Sequence, residues 1–353
     1  MKKVLLMSIA AMTLLGCNKD EDSVPRREVT VRWYVLSEGS WGQANSDLAC
    51  YDAATGVFTP GYFTEKNGSP LGDTGNDLKL YGAKMYCAVS GTDMGAGGSL
   101  KVIHPETGKL IKSIPATDGA GNPDMPRRIA LHGGKVYVTM YSGSIARIDT
   151  ATLTIDGRAA LGGTYPEGIC AYGDNLYVCN SGQGSGTALS VVNIAQFRET
   201  STITVPQNPL MIEAAETGDI YFTTADVTWA GGEASNLHRF HAAKPEEIVT
   251  FGFRASRIAV GKEYVYSVDT DWSNFSTVVK KVDTKTGAVS DFITDDTGKD
   301  ISSGYNVAVN PLTGEVYLTN MGEDIYMYDP NGKQTGRFAT NLSGGSSFVF
   351  INR

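Results

Sequence analysis

Apolar and polar positions alternate with a period of two in short runs along the chain, and the runs recur in a fixed phrase. An apolar triplet is followed by a Gly-containing turn and then by a strand centred on Tyr. The phrase reads Arg128-Ile-Ala-Leu-His-Gly-Gly-Lys-Val-Tyr137-Val-Thr, and again Gly168-Ile-Cys-Ala-Tyr-Gly-Asp-Asn-Leu-Tyr177-Val-Cys. Further copies run from Asp77 to Tyr86 and from Asn306 to Tyr317; weaker ones centre on Tyr221 and Tyr266, and a half copy on Tyr34. The Tyr spacings are 52, 51, 40, 44, 45 and 51 residues. This is tandem self-similarity at the period of a propeller blade, in seven units. A second phrase follows each Tyr after 12 to 20 residues: an alternating strand that ends in Asp or a stand-in, then a turn and a fourth strand. Ile148-Asp149-Thr150, Val282-Asp283-Thr-Lys-Thr-Gly287 and Tyr328-Asp329-Pro-Asn-Gly332 are examples.

Each unit therefore reads as a four-stranded antiparallel meander, A to D, and the chain as an all-β, seven-bladed β-propeller. A β-sandwich would share the short alternating strands but not the repetition, and helical periodicity is absent over any useful length. The first unit lacks an A strand. The chain ends in Ser346-Ser-Phe-Val-Phe-Ile351 after the seventh unit is complete, so this tail is expected to form the innermost strand of the first blade and close the ring, leaving no open sheet edge.

The first residues read differently. Lys2 and Lys3 precede an apolar stretch from Val4 to Leu15 that ends Leu14-Leu15-Gly16-Cys17, the layout of a secretory signal with a lipobox. Residues 1–16 are expected to be removed and Cys17 to be acylated, with 17–27 an acidic tether (Asn18-Lys19-Asp20-Glu21-Asp22) and 28–353 a single propeller domain. No other segment is apolar for long enough to span a bilayer, so the membrane is met only through the lipid. The formal charge is −8; without the two leader Lys, 28 Lys+Arg face 38 Asp+Glu, giving −10. That balance argues against tracking phosphates on a nucleic acid, which needs clustered cations. The 41 Gly, about 12 % of the chain against a usual share of about 7 %, fit many tight turns. Cys50, Cys87, Cys170 and Cys179 lie in apolar strand-like runs without a C-x-x-C pair or a disulfide framework, and read as buried thiols.

In a meander, B–C loops and D–A connections share one face, while A–B and C–D turns share the other. The second set is short and stereotyped. The first set is long, irregular and Gly-rich, and it carries Trp41, Trp229 and Trp272 in Ser37-Glu-Gly-Ser-Trp41-Gly-Gln, Asp226-Val-Thr-Trp229-Ala-Gly and Asp269-Thr-Asp-Trp272-Ser-Asn-Phe275. The connection from Thr59 to Asn76 belongs to the same set. Aromatics on loops held by a rigid scaffold suit a binding face. Residues placed just before each A strand by repeat alignment converge on the channel mouth: Asn76-Asp77, Arg127-Arg128, Glu167, Arg257 and Tyr305-Asn306, with Tyr165 close by. Their mixed charge suits a polar ligand or internal ion pairs alike. Catalytic signatures are missing: there is no G-x-S-x-G, H-E-x-x-H or P-loop. His238 and His241 stand three apart on a strand, so they face opposite ways and make no zinc pair. Asp269-x-Asp271-x-x-Asn274 and Asp295-Asp296-x-Gly298 offer oxygen ligands for calcium but lack a closing Glu, and read as solvated turns. No cofactor is expected.

Tyr177-Val-Cys-Asn-Ser-Gly and Tyr317-Leu-Thr-Asn resemble the YVTN propeller repeat of surface-layer-type proteins. Val35-Leu-Ser-Glu-Gly-Ser-Trp-Gly42, Leu71-Gly-Asp-Thr-Gly-Asn-Asp77 and Tyr165-Pro-Glu-Gly-Ile169 resemble segments of YncE-like surface lipoproteins of Bacteroidetes, a set that includes the vitamin B12-capturing BtuG group. The resemblance covers nearly all of the mature chain. It implies an outer-membrane lipoprotein on the extracellular face that captures a corrinoid and passes it to a TonB-dependent outer-membrane transporter, without catalysis. Phe240-His241 and Tyr266-Ser-Val-Asp depart from the repeat in blades five and six. Two rival expectations stand beside capture of a corrinoid: a glycan- or protein-binding surface module, and a metal-dependent lyase or lactonase in which Asp77, Glu167 and Asn306 converge at the mouth.

Overall fold

The Tyr at the centre of every repeated phrase is buried: Tyr34, Tyr86, Tyr137, Tyr177, Tyr221, Tyr266 and Tyr317 are at most 4 % exposed. The reason is visible in a computed structural model, which describes residues 28–93, 95–228, 231–294, 301–321, 324–340 and 344–353. Each of these Tyr lies in the B strand of its blade and packs into the apolar layer shared with the next blade around the ring. Strand residues point alternately to the two faces, so one periodic Tyr per unit fills one layer per junction.

Seven four-stranded sheets form the ring, all pairings antiparallel. The inner A strands of blades 2 to 7 are Thr74–Tyr81, Pro126–His132, Pro166–Tyr172, Pro209–Ala214, Arg257–Val260 and Gly304–Val309. In blade 1 that place is taken by the terminal strand Gly345–Asn352, paired with Thr30–Ser37 from Thr30↔Asn352 to Ser37↔Gly345. The expected closure is therefore present. Its seam is aromatic: Trp33 stacks on Tyr51 at 5.2 Å and meets Tyr317, Phe338 and Phe348 edge-on or tilted at 5.6–6.0 Å.

A second layer of the repeat explains its Thr. Two residues beyond Tyr, and so on the same face, Thr139 Oγ1 donates to the Glu167 carbonyl of the next A strand at 2.9 Å. Thr223 does the same to Ser256 at 3.2 Å and Thr319 to Gly345 at 2.7 Å. Cys179 stands at this position in blade 4, with Sγ 3.8 Å from the Met211 carbonyl. The Asp that ends the C strand caps the C–D turn. Asp52, Asp149, Asp283 and Asp329 each accept two backbone N–H groups from residues two to four further on, as Asx turns do. Where the repeat replaces Asp, Asn193 Oδ1, His104 Nδ1 and His241 Nδ1 accept the equivalent N–H. The departure at Phe240-His241 is thus a turn cap on the face opposite the Trp-bearing loops.

Two expectations need correction. The Thr59–Asn76 connection is not wholly loop: Tyr62–Asn67 is a short helix. The D strand of blade 1 is only Val57–Thr59, and the helix fills the space it leaves, burying Phe63 in the layer between blades 1 and 2. Asn67 Nδ2 reaches the Gly108 carbonyl at 2.9 Å. Gly108 has φ +67, and a Cβ there would lie 2.4 Å from the Tyr62 ring, so only glycine fits the contact. Four of the mouth residues, in turn, do not precede the A strands but lie inside them, at β-bulges, while Arg257 opens its strand without one. Register shifts fall between Gly75 and Asp77, Pro126 and Ile129, Pro166 and Ile169, and Gly304 and Asn306. A bulge leaves a residue unpaired and re-aims its side chain, which is how Asn76, Arg127, Glu167 and Tyr305 come to serve the mouth.

Candidate functional site

The antiparallel order puts all B–C loops on one face. Trp41, in the loop between Thr30–Ser37 and Asp47–Asp52, is 57 % exposed, and Trp272, between Tyr264–Asp271 and Ser276–Asp283, is 53 % exposed. Phe275, in the same loop as Trp272, and Met321, in the B–C loop of blade 7, are also exposed apolar residues. Blades 6, 7 and 1 are consecutive in the ring, so these side chains make one sector. Trp229 lies outside the described residues, as do Cys17, the leader, the tether and Asp295-Asp296-x-Gly298.

The loops are held by backbone bonds. Asn45 Oδ1 accepts the Ser40 N–H at 2.7 Å, Glu38 N donates to Gly344 O at 2.8 Å, and Gly75 N donates to Glu38 O at 3.0 Å. Gly39 has φ +79, and a Cβ there would sit 2.7 Å from Asn45 Oδ1 and Ser46 N. Ser303 N donates to Phe275 O at 3.1 Å and Met321 N to Ser303 O at 2.9 Å, so the blade 6 and blade 7 loops share one anchor. An exposed aromatic on a loop fixed at both ends loses little freedom on binding.

At the mouth the charges pair across blades. Arg127 Nε and Nη2 donate to Glu167 at 3.2 and 3.1 Å, and its Nη1 donates to Asn76 Oδ1 at 2.6 Å. The guanidinium lies 4.6 Å above the Tyr141 ring, and the Tyr141 hydroxyl donates to Glu167 Oε1 at 2.5 Å. Tyr165 packs edge-on against Tyr141 at 5.4 Å. Burial pushes the Glu167 carboxyl up, but the Arg127 and Arg128 guanidiniums outweigh it and hold it below the usual range. On the other side, the Tyr305 hydroxyl donates to Glu38 and its ring lies under the Arg257 guanidinium at 5.6 Å. Tyr141 and Glu38 are members that repeat alignment passes over, because neither stands at a bulge.

Asp77, Glu167 and Asn306 do not form a common ligand set. Asp77 accepts the Ile129 N–H at 2.9 Å and the Ser347 hydroxyl at 3.0 Å, Glu167 turns to Arg127, and Asn306 is buried in its strand. Among the described residues no three His, Cys, Asp or Glu are grouped to hold a metal ion. Asp269 binds Arg254 at 2.8 Å and Asp271 caps Ser273, so the first calcium candidate is a salt bridge beside a turn. The four described cysteines are free and buried; burial pushes their thiols up, Cys50 to about 11.

His238 is buried and His241 exposed, as opposite faces of one strand require. His238 Nδ1 lies 2.9 Å from Thr250 Oγ1, its ring stacks on Phe222 at 4.8 Å, and burial pushes it down from its usual 6.5 to about 4. The unfolded chain then binds one more proton between these values, so stability is full above about pH 6.5 and is lost as pH falls toward 4. The loss amounts to about 3 kcal/mol. Urea unfolding at pH 7, 5.5 and 4 should show it, and His238→Gln should flatten the dependence; equal slopes in both proteins would refute it.

The chain defines a seven-bladed β-propeller with one ornate face. No protein-family model matches it, and no curated protein matches it. Among solved structures, Kuenenia stuttgartiensis hydrazine synthase aligns at 17 % identity with a TM-score of 0.62, over 77 % of this chain and 88 % of that one. The WD40 repeats of RRP9 align at 12 % identity and TM-score 0.60, over 77 % and 82 %. A computationally designed protein, Ika8, aligns at 12 % identity and TM-score 0.59, over 90 % and 91 %. At these identities the likeness concerns the propeller fold.

Proposed function

We propose that this protein is a lipid-anchored collector, tethered through Cys17 to the outer surface of the cell, whose Trp-bearing face captures an extracellular ligand and hands it to a TonB-dependent transporter. The corrinoid ligand rests on the resemblance of Val35–Gly42, Leu71–Asp77 and Tyr165–Ile169 to the BtuG group. The observation that carries capture is the exposure of Trp41, Trp272 and Phe275 on anchored loops of one face, in blades 1 and 6 on either side of blade 7. Flat rings of this kind cover a partly apolar macrocycle, and a site built in advance keeps the ordering cost low. Exposed Trp also stacks on sugar rings, which favours a glycan as the second reading.

Mixing the protein with cyanocobalamin and running gel filtration tests the ligand. Pink absorbance is expected to travel with the protein. Trp41→Ala and Trp272→Ala should each weaken binding at least tenfold, as anchor residues do, with unchanged circular dichroism. No co-elution at micromolar protein would overturn the corrinoid and move the assignment to a glycan.

A further inference from the structure

Where the chain enters the ring decides which face its tether leaves. The described chain starts at Glu28, and the two ends of the ring are bonded to each other: Val29 N donates to Arg353 O at 2.7 Å and Arg353 N to Val29 O at 2.9 Å. This pair lies just beyond Thr30↔Asn352, at the place where the other blades have their A–B turn. The tether therefore departs from the turn face, opposite Trp41 and Trp272. Arg32 and Arg353 both donate to Glu106, in the C–D turn of blade 2, so that turn adjoins the exit.

Charge is unevenly spread over the turn face. On that side of blades 1 to 3 every acid has a cation. Arg32 holds Asp52, Lys66 holds Glu65 and Arg353 holds Glu106, while Lys135 and Arg147 hold Asp149 and Asp156 at 2.5–2.7 Å. Three lysines remain with carbonyl acceptors only. Lys84 Nζ donates to the Thr150 carbonyl at 3.3 Å, Lys112 Nζ to the Thr152 carbonyl at 3.5 Å, and Lys109 Nζ to the Lys66 carbonyl. Lys84 and Lys112 thus meet over one turn, whose Asp149 also accepts from Lys135 at 2.5 Å. A carbonyl satisfies an ammonium hydrogen without cancelling its charge. Blades 4 to 7 show the reverse: Asp174, Glu216, Glu263 and Glu315, one at each A–B turn, have no cation partner among the described residues.

We infer that Lys84, Lys109 and Lys112 seat the ring on a phosphate-bearing lipid surface, the bilayer that holds its anchor, so that the Trp-bearing face looks outward. The nearness of that bilayer rests on the proposed acylation of Cys17; the lysine sector does not. The eleven tether residues 17–27 span at most about 40 Å, enough for either face to reach the bilayer, so the tether alone sets no orientation. The charge does. Lysines within a Debye length of an anionic leaflet are drawn to it and acids are repelled. The chain is acidic as a whole, so contact is confined to the sector with excess cations, and the acidic turns of blades 4 to 7 tilt away.

Sedimentation with vesicles tests the seat, using the mature chain 17–353 made without acylation. Binding is expected to phosphatidylcholine vesicles that contain one third phosphatidylglycerol, not to phosphatidylcholine alone, and should vanish in concentrated salt. Lys84→Gln and Lys112→Gln should each weaken it about fivefold and together roughly 25-fold, with unchanged circular dichroism. Lys262→Gln, on the turn face of blade 6, should leave it unchanged. Tryptophan emission should not move on binding; a blue shift would put the Trp-bearing face on the lipid and overturn the outward pose. Equal sedimentation with both vesicles, none with either, or lysine variants that bind like the parent would overturn the seat. So would a dimer in vesicle-free solution that Lys84→Gln dissolves, which would assign these lysines to a second copy of the chain. No acyl group takes part, so failure of Cys17 acylation would leave the result intact, and the cyanocobalamin experiment reports on capture separately.

Discussion

Deleting residues 346–353 is expected to unfold the protein or lower its melting temperature by about 7 °C or more, whereas deleting 18–27 should shift it by about 1 °C or less. The terminal strand contributes the inner edge of blade 1 and buries Val349 and Ile351 between blades 1 and 2. Its Phe348 and Phe350 pack on Tyr317 at 5.6 and 5.0 Å across the junction with blade 7. At roughly 1.5–3 kcal/mol per fully buried apolar side chain, and less for the half-covered Phe, the loss is about 5 kcal/mol or more. It also opens the backbone edge of Thr30–Ser37 to solvent and to other chains. Differential scanning calorimetry of both truncations decides the matter. Equal melting temperatures would show that the ring does not depend on its closing strand.

The second large effect is expected at the mouth. Arg127→Met removes the bidentate partner of Glu167, whose side chain is 6 % exposed, and leaves a buried carboxylate with only the Tyr141 hydroxyl and the more distant Arg128 charge. Breaking one side of a buried pair costs about 3–5 kcal/mol, which for a chain of this size lowers the melting temperature by about 5–8 °C. Adding Glu167→Gln should restore more than half of the loss, because the amide needs no counter-charge and its oxygen still accepts from Tyr141. A double variant as unstable as Arg127→Met would show that Arg127 acts through its packing on Tyr141 instead of its charge.

Much of the repeat grammar has a structural meaning. Tyr fills the layer toward the next blade, Thr two positions on ties that blade's inner strand, and Asp or its stand-in caps the outer turn. These roles follow from strand periodicity and turn chemistry, both local, so the blades could be delimited from residue spacing alone. The stand-ins are instructive. His241 differs from Asp in type but offers the same kind of acceptor to Ala243 N–H, so the break in the consensus there keeps the geometry of the turn.

The site was legible in a different measure. Trp41 and Trp272 were identifiable because B–C loops must share a face in any meander. Phe275 stood in one of the quoted loops, yet it is exposed on a left-handed backbone, φ +62, and neither property could be read from residue type. Tyr62–Asn67 escaped because a six-residue helix spans less than two turns, too few for an apolar face to repeat.

Sequence alone determined the all-β class, the seven units, the closing tail and the face that carries the Trp loops, since each follows from a pattern of two or of about 45 residues repeated along the chain. Tertiary structure alone decided which mouth charges neutralise one another. Arg127 meets Glu167 from 40 residues away, through bulges that turn both side chains out of the ladder, and Arg128 beside it adds its charge to the same carboxylate. Pairing of charge depends on distances across the ring, and those are fixed only when the blades close.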